Sequence, residues 1–138
     1  MNMYGVLGIS AAGLDVQQTR LEIAASNLAN ANATRTAEGG LYQPLEAVIG
    51  SEATDLANGA VRRPTVLELV PTGAQPRMVY EPGHPDADER GYVKMPGVDT
   101  LSTMLDLMSI SRSYEANLRV FDITRTLLQK TLEVGMHR

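Results

Sequence analysis

Apolar side chains recur with a helical period at both ends of the chain, and the stretch between them has none. From Val98 to Val134 there is no Gly and no Pro, and Pro96-Gly97 stands just before. Steps of three and four from Met104 reach Leu107, Ser111, Tyr114, Leu118, Phe121, Arg125, Leu128 and Leu132. Seven of these nine positions are apolar or aromatic, so the spacing predicts one long helix with a heptad seam. At about 1.5 Å per residue it would run roughly 50 Å. A domain of ~100 residues has a radius of gyration of about 13 Å, so this seam asks for a long partner.

Near the N-terminus Leu7, Leu14, Leu21 and Leu28 recur every seventh residue, with Ile9, Val16 and Ile23 as a second stripe beside them. This predicts an amphipathic helix whose seam is built of Leu and small residues. Gly8 and Gly13 each weaken a helix by about 1 kcal/mol relative to Ala, so a firm helix is expected from about Leu14, after a looser start. Asn27, Asn30 and Asn32 mark its end. Asn tolerates the left-handed conformation of helix ends. In a packed seam the same residues would set register.

Residues 36–97 contain all seven prolines and most of the glycines. Short strand-like runs lie between these breakers: Leu41–Ile49, bent or at an edge because of Pro44, then Thr65–Val70, Arg77–Tyr80 and Gly91–Met95. Residues 51–64 show no period and read as a loop. The expected fold is therefore α+β. Long N- and C-terminal helices form a coiled-coil-like pair around a small β-rich insert. The boundaries are 1–35 for the first helical arm, 36–97 for the β-rich domain and 98–138 for the second arm. The first helix is shorter and gapped at Gln18, so it covers only part of the longer seam. Two helices alone leave little net stability, so the arms should be loose in the monomer and ordered on assembly.

Charge sharpens this division. Residues 1–35 and 98–138 are each neutral, and the middle carries nine acidic and five basic side chains, the whole net charge of −4. No basic face exists for nucleic acid. There is no cysteine, so disulfides and thiolate chemistry are excluded. No run approaches the ~20 apolar residues of a membrane span. The N-terminus also lacks a Sec-type signal, which on its own would place the protein in the cytoplasm.

Candidate chemistry is sparse. His84-Pro-Asp-Ala-Asp88 puts His84, Asp86 and Asp88 close together, and Asp86 onward imitates the start of a calcium loop. The fifth loop position is Arg90 and the twelfth is Gly97, where a bidentate Glu is required. A turn whose carboxylates accept local backbone N–H groups is expected, with no metal and no cofactor. Asn32-Ala-Thr34 is a glycosylation sequon without a secretory signal to give it meaning. No nucleophile–base pair and no phosphate loop can be placed, so neither an enzyme nor a small-molecule substrate is expected. Glu115 and Arg119 make an i,i+4 pair on the long helix. Arg112, Glu115 and Asn117 either line a solvated face or meet a neighbouring subunit. From the heptads alone, a generic coiled-coil adaptor is the competing reading.

Two blocks carry a resemblance. Ala25-Ser-Asn-Leu-Ala-Asn-Ala-Asn32 ends the first helix. Ser111-Arg-Ser-Tyr-Glu-Ala-Asn117 sits in a helix closing with Leu127-Leu-Gln-Lys-Thr-Leu-Glu-Val-Gly135. Both resemble the rod, hook and hook-associated family of bacterial flagellar axial proteins. Val79-Tyr-Glu-Pro-Gly-His-Pro-Asp-Ala-Asp88 with Gly91-Tyr-Val-Lys-Met-Pro-Gly-Val-Asp99 is similar to the rod members. The resemblance implies a structural, non-enzymatic protein that leaves the cytoplasm through the flagellar type III export apparatus without a cleaved signal. It implies assembly in the periplasm into the basal-body rod, with terminal helices inside and the β-rich part outside. Implied neighbours are copies of itself, the rod proteins FlgB, FlgF and FlgG, and the adaptor FliE. The assembly contacts expected from seam and resemblance are Leu7, Leu14, Leu21, Asn27, Leu28, Asn30 and Asn32 on the first helix. On the second they are Met104, Leu107, Arg112, Tyr114, Glu115, Asn117, Leu118, Phe121, Leu128 and Leu132.

Overall fold

A computed structural model describes residues 3–56 and 59–136. Helix α1 (Met3–Ala29) is followed by strands β1 (Leu45–Leu56), β2 (Gly59–Pro71), β3 (Arg77–Tyr80) and β4 (Tyr92–Met95), and then by helix α2 (Thr100–Met136). The α+β class expected from the pattern is what forms. At about 1.5 Å per residue, 37-residue α2 is roughly 55 Å long and 27-residue α1 roughly 40 Å.

The helices pair antiparallel. Asn117 lies against Gly13, Leu21 borders a groove with Leu107 and Met108, and Asn27 faces the start of α2 near Thr103. α1 begins at Met3 without a break at its glycines. Each glycine has a neighbour that needs the missing Cβ. A Cβ on Gly13 would sit 3.2 Å from Asn117 Nδ2, and one on Gly8 would sit 2.6 Å from Arg63 Nη2. Packing against α2 and β2 offsets their intrinsic cost.

β1 and β2 form one antiparallel hairpin, paired from Leu45↔Pro71 to Leu56↔Gly59 with a bulge between Val48 and Ile49. The loop expected over 51–64 is therefore strand on both sides of the two residues outside the described set, 57 and 58. The hairpin does not need its own alternation there. It lies along α1, where Glu52 and Arg63–Val66 share a groove with Ala12, Val16 and Thr19. Tertiary packing overrides weak local preference at such a place. The strand expected from Leu41 starts after Pro44 instead. Pro44 has no N–H to give, and its carbonyl accepts from Thr72 at 2.8 Å, opening the ladder.

α1 thus lies between two layers, α2 on one side and the hairpin on the other, while α2 packs against α1 alone among the described elements. β3 and β4 form a separate two-stranded ladder whose backbone comes close to no other described element. Buried apolar side chains are small or medium: Val16, Ala24, Ala31, Val93, Met95, Val98 and Ile110. Among the described residues no helix is long and apolar enough to cross a membrane.

Candidate assembly interface

The buried surface of α1 is built mostly from small residues. Gly5, Ser10, Val16 and Ala24 are buried. The leucine heptad is not the buried line: Leu7, Leu14 and Leu28 are half-buried and Leu21 is exposed. Small side chains let the helix backbones approach, and the leucines flank the contact.

On α2 the line facing α1 is Thr103, Leu107, Ile110, Tyr114, Asn117, Phe121, Thr124 and Leu128, all buried or half-buried. Leu107, Tyr114, Phe121 and Leu128 belong to the stripe read from sequence. The alternate positions are each one residue earlier than expected, Ile110 in place of Ser111 and Thr124 in place of Arg125, for example. The seam is therefore turned by about 50°, half of one residue's 100° step. Two polar groups pack inside it at little cost. Thr124 Oγ1 donates to the Val120 carbonyl at 2.8 Å, and Asn117 fills the space left by Gly13.

A second apolar stripe runs along the far side of α2. Leu101, Leu105 and Ile123 stand two residues from seam positions, about 200° around the helix, and are 60–68% exposed, and Met108 lies at the edge of this stripe, beside the groove it shares with Leu21. Val120, Leu127 and Val134 continue it. The sequence reading missed this stripe, because a single best heptad falls between two apolar faces. Of the expected contacts, Met104, Leu118 and Leu132 are 50%, 40% and 55% exposed. Arg112 and Glu115 are exposed as well, whereas Asn117 faces α1. Since the described part of α1 starts opposite the region of Leu128, Leu132 and Val134 extend past it with no described helix beside them.

The asparagines are used within the chain. Asn27 Nδ2 donates to the Leu45 carbonyl at 2.8 Å, and Asn27 Oδ1 accepts from Leu45 N–H at 3.0 Å and from Tyr42 O–H at 2.9 Å. One side chain thereby knots α1 to the start of β1. Asn30 Nδ2 donates to the Ser26 carbonyl, and Asn32 Oδ1 accepts from Arg77 Nη2 at 2.7 Å. Arg77 also donates to the Ala31 carbonyl, which ties β3 to the end of α1.

The acidic turn is equally committed. Asp88 Oδ1 accepts from the N–H groups of Arg90 and Tyr92, and His84 Nδ1 accepts from Asp86 N–H. Asp86 accepts from Thr34 Oγ1 at 2.7 Å and pairs with Arg35. The Thr34 hydrogen bond first, and then the Arg35 charge, hold its carboxyl below the ordinary range. This turn fastens the β3–β4 ladder to the segment after α1. Among the described residues no group of three or more His, Asp or Glu is placed to hold a metal ion.

A small strand insert between paired helices, the longer one apolar on its outer side, describes a subunit that builds upon other subunits. Two family models match the ends of the chain. One, for flagella basal body rod proteins, covers residues 7–37, and the other, for the C-terminal part of flagellar basal body rod FlgEFG proteins, covers 89–134. The class is thus that of flagellar basal-body rod proteins. The flagellar basal-body rod protein FlgC of Salmonella typhimurium (strain LT2) is 40% identical over 136 residues, 98% of this chain and 99% of its own length. FlgC of Escherichia coli O157:H7 is 39% identical over 136 residues, and FlgC of Bacillus subtilis is 33% identical over 150, both with 98% of this chain and 99% of their own length covered. The chain belongs to the FlgC family.

Proposed function

We propose that this chain is a non-enzymatic structural subunit of the flagellar basal-body rod that assembles through its two helices, so that the rod carries torque from motor to hook. The helical arms 1–35 and 98–138 make the axial core, and residues 36–97 form a smaller β-rich domain around it. The protein reaches the periplasm through the flagellar type III export apparatus. There it meets copies of itself, FlgB, FlgF and FlgG, and the adaptor FliE. What carries this reading is the outer apolar stripe of α2, which no described element of the chain covers. Scattered exposed apolar residues are ordinary on a monomer, but two apolar runs on one helix face, Leu101–Met108 and Val120–Val134, with charged Arg112, Glu115 and Arg119 between them, mark an interaction surface. Burial recovers about 25 cal/mol per Å² of apolar area, and a contact that does not close on itself extends into a helical tube. Arg112 and Glu115 on this face, and Met104, Leu118 and Leu132, exposed beside or beyond the seam, are proposed as further subunit contacts.

Leu118→Asp tests the reading. The β1–β2 hairpin stays folded in circular dichroism, export continues, and rods and swimming are lost. Normal swimming would mean that this face is not a subunit contact.

A further inference from the structure

We propose that the open edge of β1 receives an extended, basic segment of a neighbouring protein chain as an added strand. β1 pairs with β2 on one edge only. In an antiparallel ladder the N–H and C=O of successive residues point alternately toward and away from the partner strand. Pro44 C=O bonds Thr72, and Leu45 turns the other way, giving both its N–H and C=O to Asn27. The alternation then turns Glu46 to β2 and Ala47 outward. Asn27 thus makes the two bonds a partner strand would make at Leu45. Ala47 presents the next such pair with no strand beside it.

These groups open onto a trench of about 540 Å³ between β1 and α2, which do not touch each other. α1 is its floor, at Ile23 and Ala24, and the opposite wall mixes Val98 and Ile110 with the polar Asp99, Ser102, Thr103 and Asp106. Glu46, Asp99 and Asp106 line it against a single cation, Arg20. Backbone hydrogen bonds from an added strand supply affinity, and side-chain pockets supply selection. A mixed trench with an acidic excess selects Lys or Arg side chains beside small apolar ones, and it disfavours acidic ones. This site is separate from the outer stripe of α2, so each can fail without the other.

The test uses assembled basal bodies carrying a photo-crosslinking amino acid at Ala47, at Asp106 or, as a control for the helix face, at Leu118, with adducts mapped to residues by mass spectrometry. Positions 47 and 106 are expected to label the same short segment of a neighbouring chain, one containing Lys or Arg and no helix. Adducts to helical or acidic segments, or no adduct at 47 while 118 labels, would overturn the proposal. Two variants sharpen it. Ala47→Pro removes the outward N–H without touching the β1–β2 ladder and should lower the adduct at 106 at least tenfold. Ala47→Val keeps the N–H and should leave it within twofold. Equal loss in both, or in neither, counts against strand addition.

Discussion

α1 and α2 have similar heptads, yet α1 is covered on two sides and α2 on one. The difference shows in their residues. α1 buries the small Gly5, Ser10 and Ala24 with Val16, meets α2 at Gly13, where Asn117 packs, and meets the hairpin at Gly8 and along Val16. α2 keeps large side chains, Leu101, Leu105 and Ile123, on the side facing away from α1. Two apolar faces can therefore mean opposite things. In α1 they are met inside the chain, and in α2 one stays exposed among the described residues.

One substitution on each helix should separate these roles most sharply. Val16→Asp puts an unpaired charge among α1, α2 and the hairpin, where Val16 is 5% exposed. A loss of about 3–5 kcal/mol is expected, enough to unfold the arms in a denaturant titration. Ile123→Asp changes a residue that is 60% exposed, and its stability cost should stay within about 0.5 kcal/mol. Rod formation should nonetheless be lost. If both variants unfold alike, the outer face of α2 is covered within the chain.

Amide exchange gives a second, graded comparison. In the purified chain, α1 amides near Val16 and Ala24 lie between two layers, and those beyond Leu128 have no described helix beside them. The first set should exchange at least about a hundredfold more slowly, a difference of about 2.7 kcal/mol in opening free energy. Equal protection along α2 to Gly135 would contradict a one-sided helix.

Much of this was legible in the sequence. Length, absence of breakers and periodicity locate both helices, and Pro-Gly punctuation separates the strands. The orientation of α2 was not legible, since its polar seam residues carry no apolar signal. Asn117 is inside only because Gly13 makes room, and Thr124 only because its hydroxyl bonds its own helix. The continuation of the hairpin through residues 51–56 and 59–64 was hidden for a related reason, because α1 supports it from outside the segment. The asparagines were visible as a cluster, but Leu45, Tyr42 and Arg77 lie too far along the chain for spacing to pair them.

Asn27 tests how firmly the two-sided helix is held. Asn27→Ala removes the side chain that serves both groups of Leu45 and the hydroxyl of Tyr42. Loss of these part-buried bonds should cost about 2–3 kcal/mol, read as a lower denaturant midpoint with an unchanged slope. Asn27→Asp keeps the acceptor and loses the donor, so it should fall between. A negligible effect for Ala would mean that the knot only decorates packing that α1 and the hairpin already secure.

The smallest expected effect concerns the outlying ladder, which only loops hold. The lowered pKa of Asp86 means that its charged form is favoured in the folded chain. The sign follows from linkage. An unfolded Asp titrates near about 3.9, so the contribution is complete at neutral pH. It declines as pH falls below that value and is gone once pH passes the lower, folded pKa. Asp86→Asn should therefore melt slightly below the parent protein at pH 7, and the gap should close as acid protonates the carboxyl. Thr34→Val should weaken the same acid dependence, since its hydroxyl is the first cause of the shift. A gap that stays constant down to pH 3 would show that Asp86 acts by shape and not by charge. The β3–β4 ladder would then owe its place to Arg77 and the end of α1.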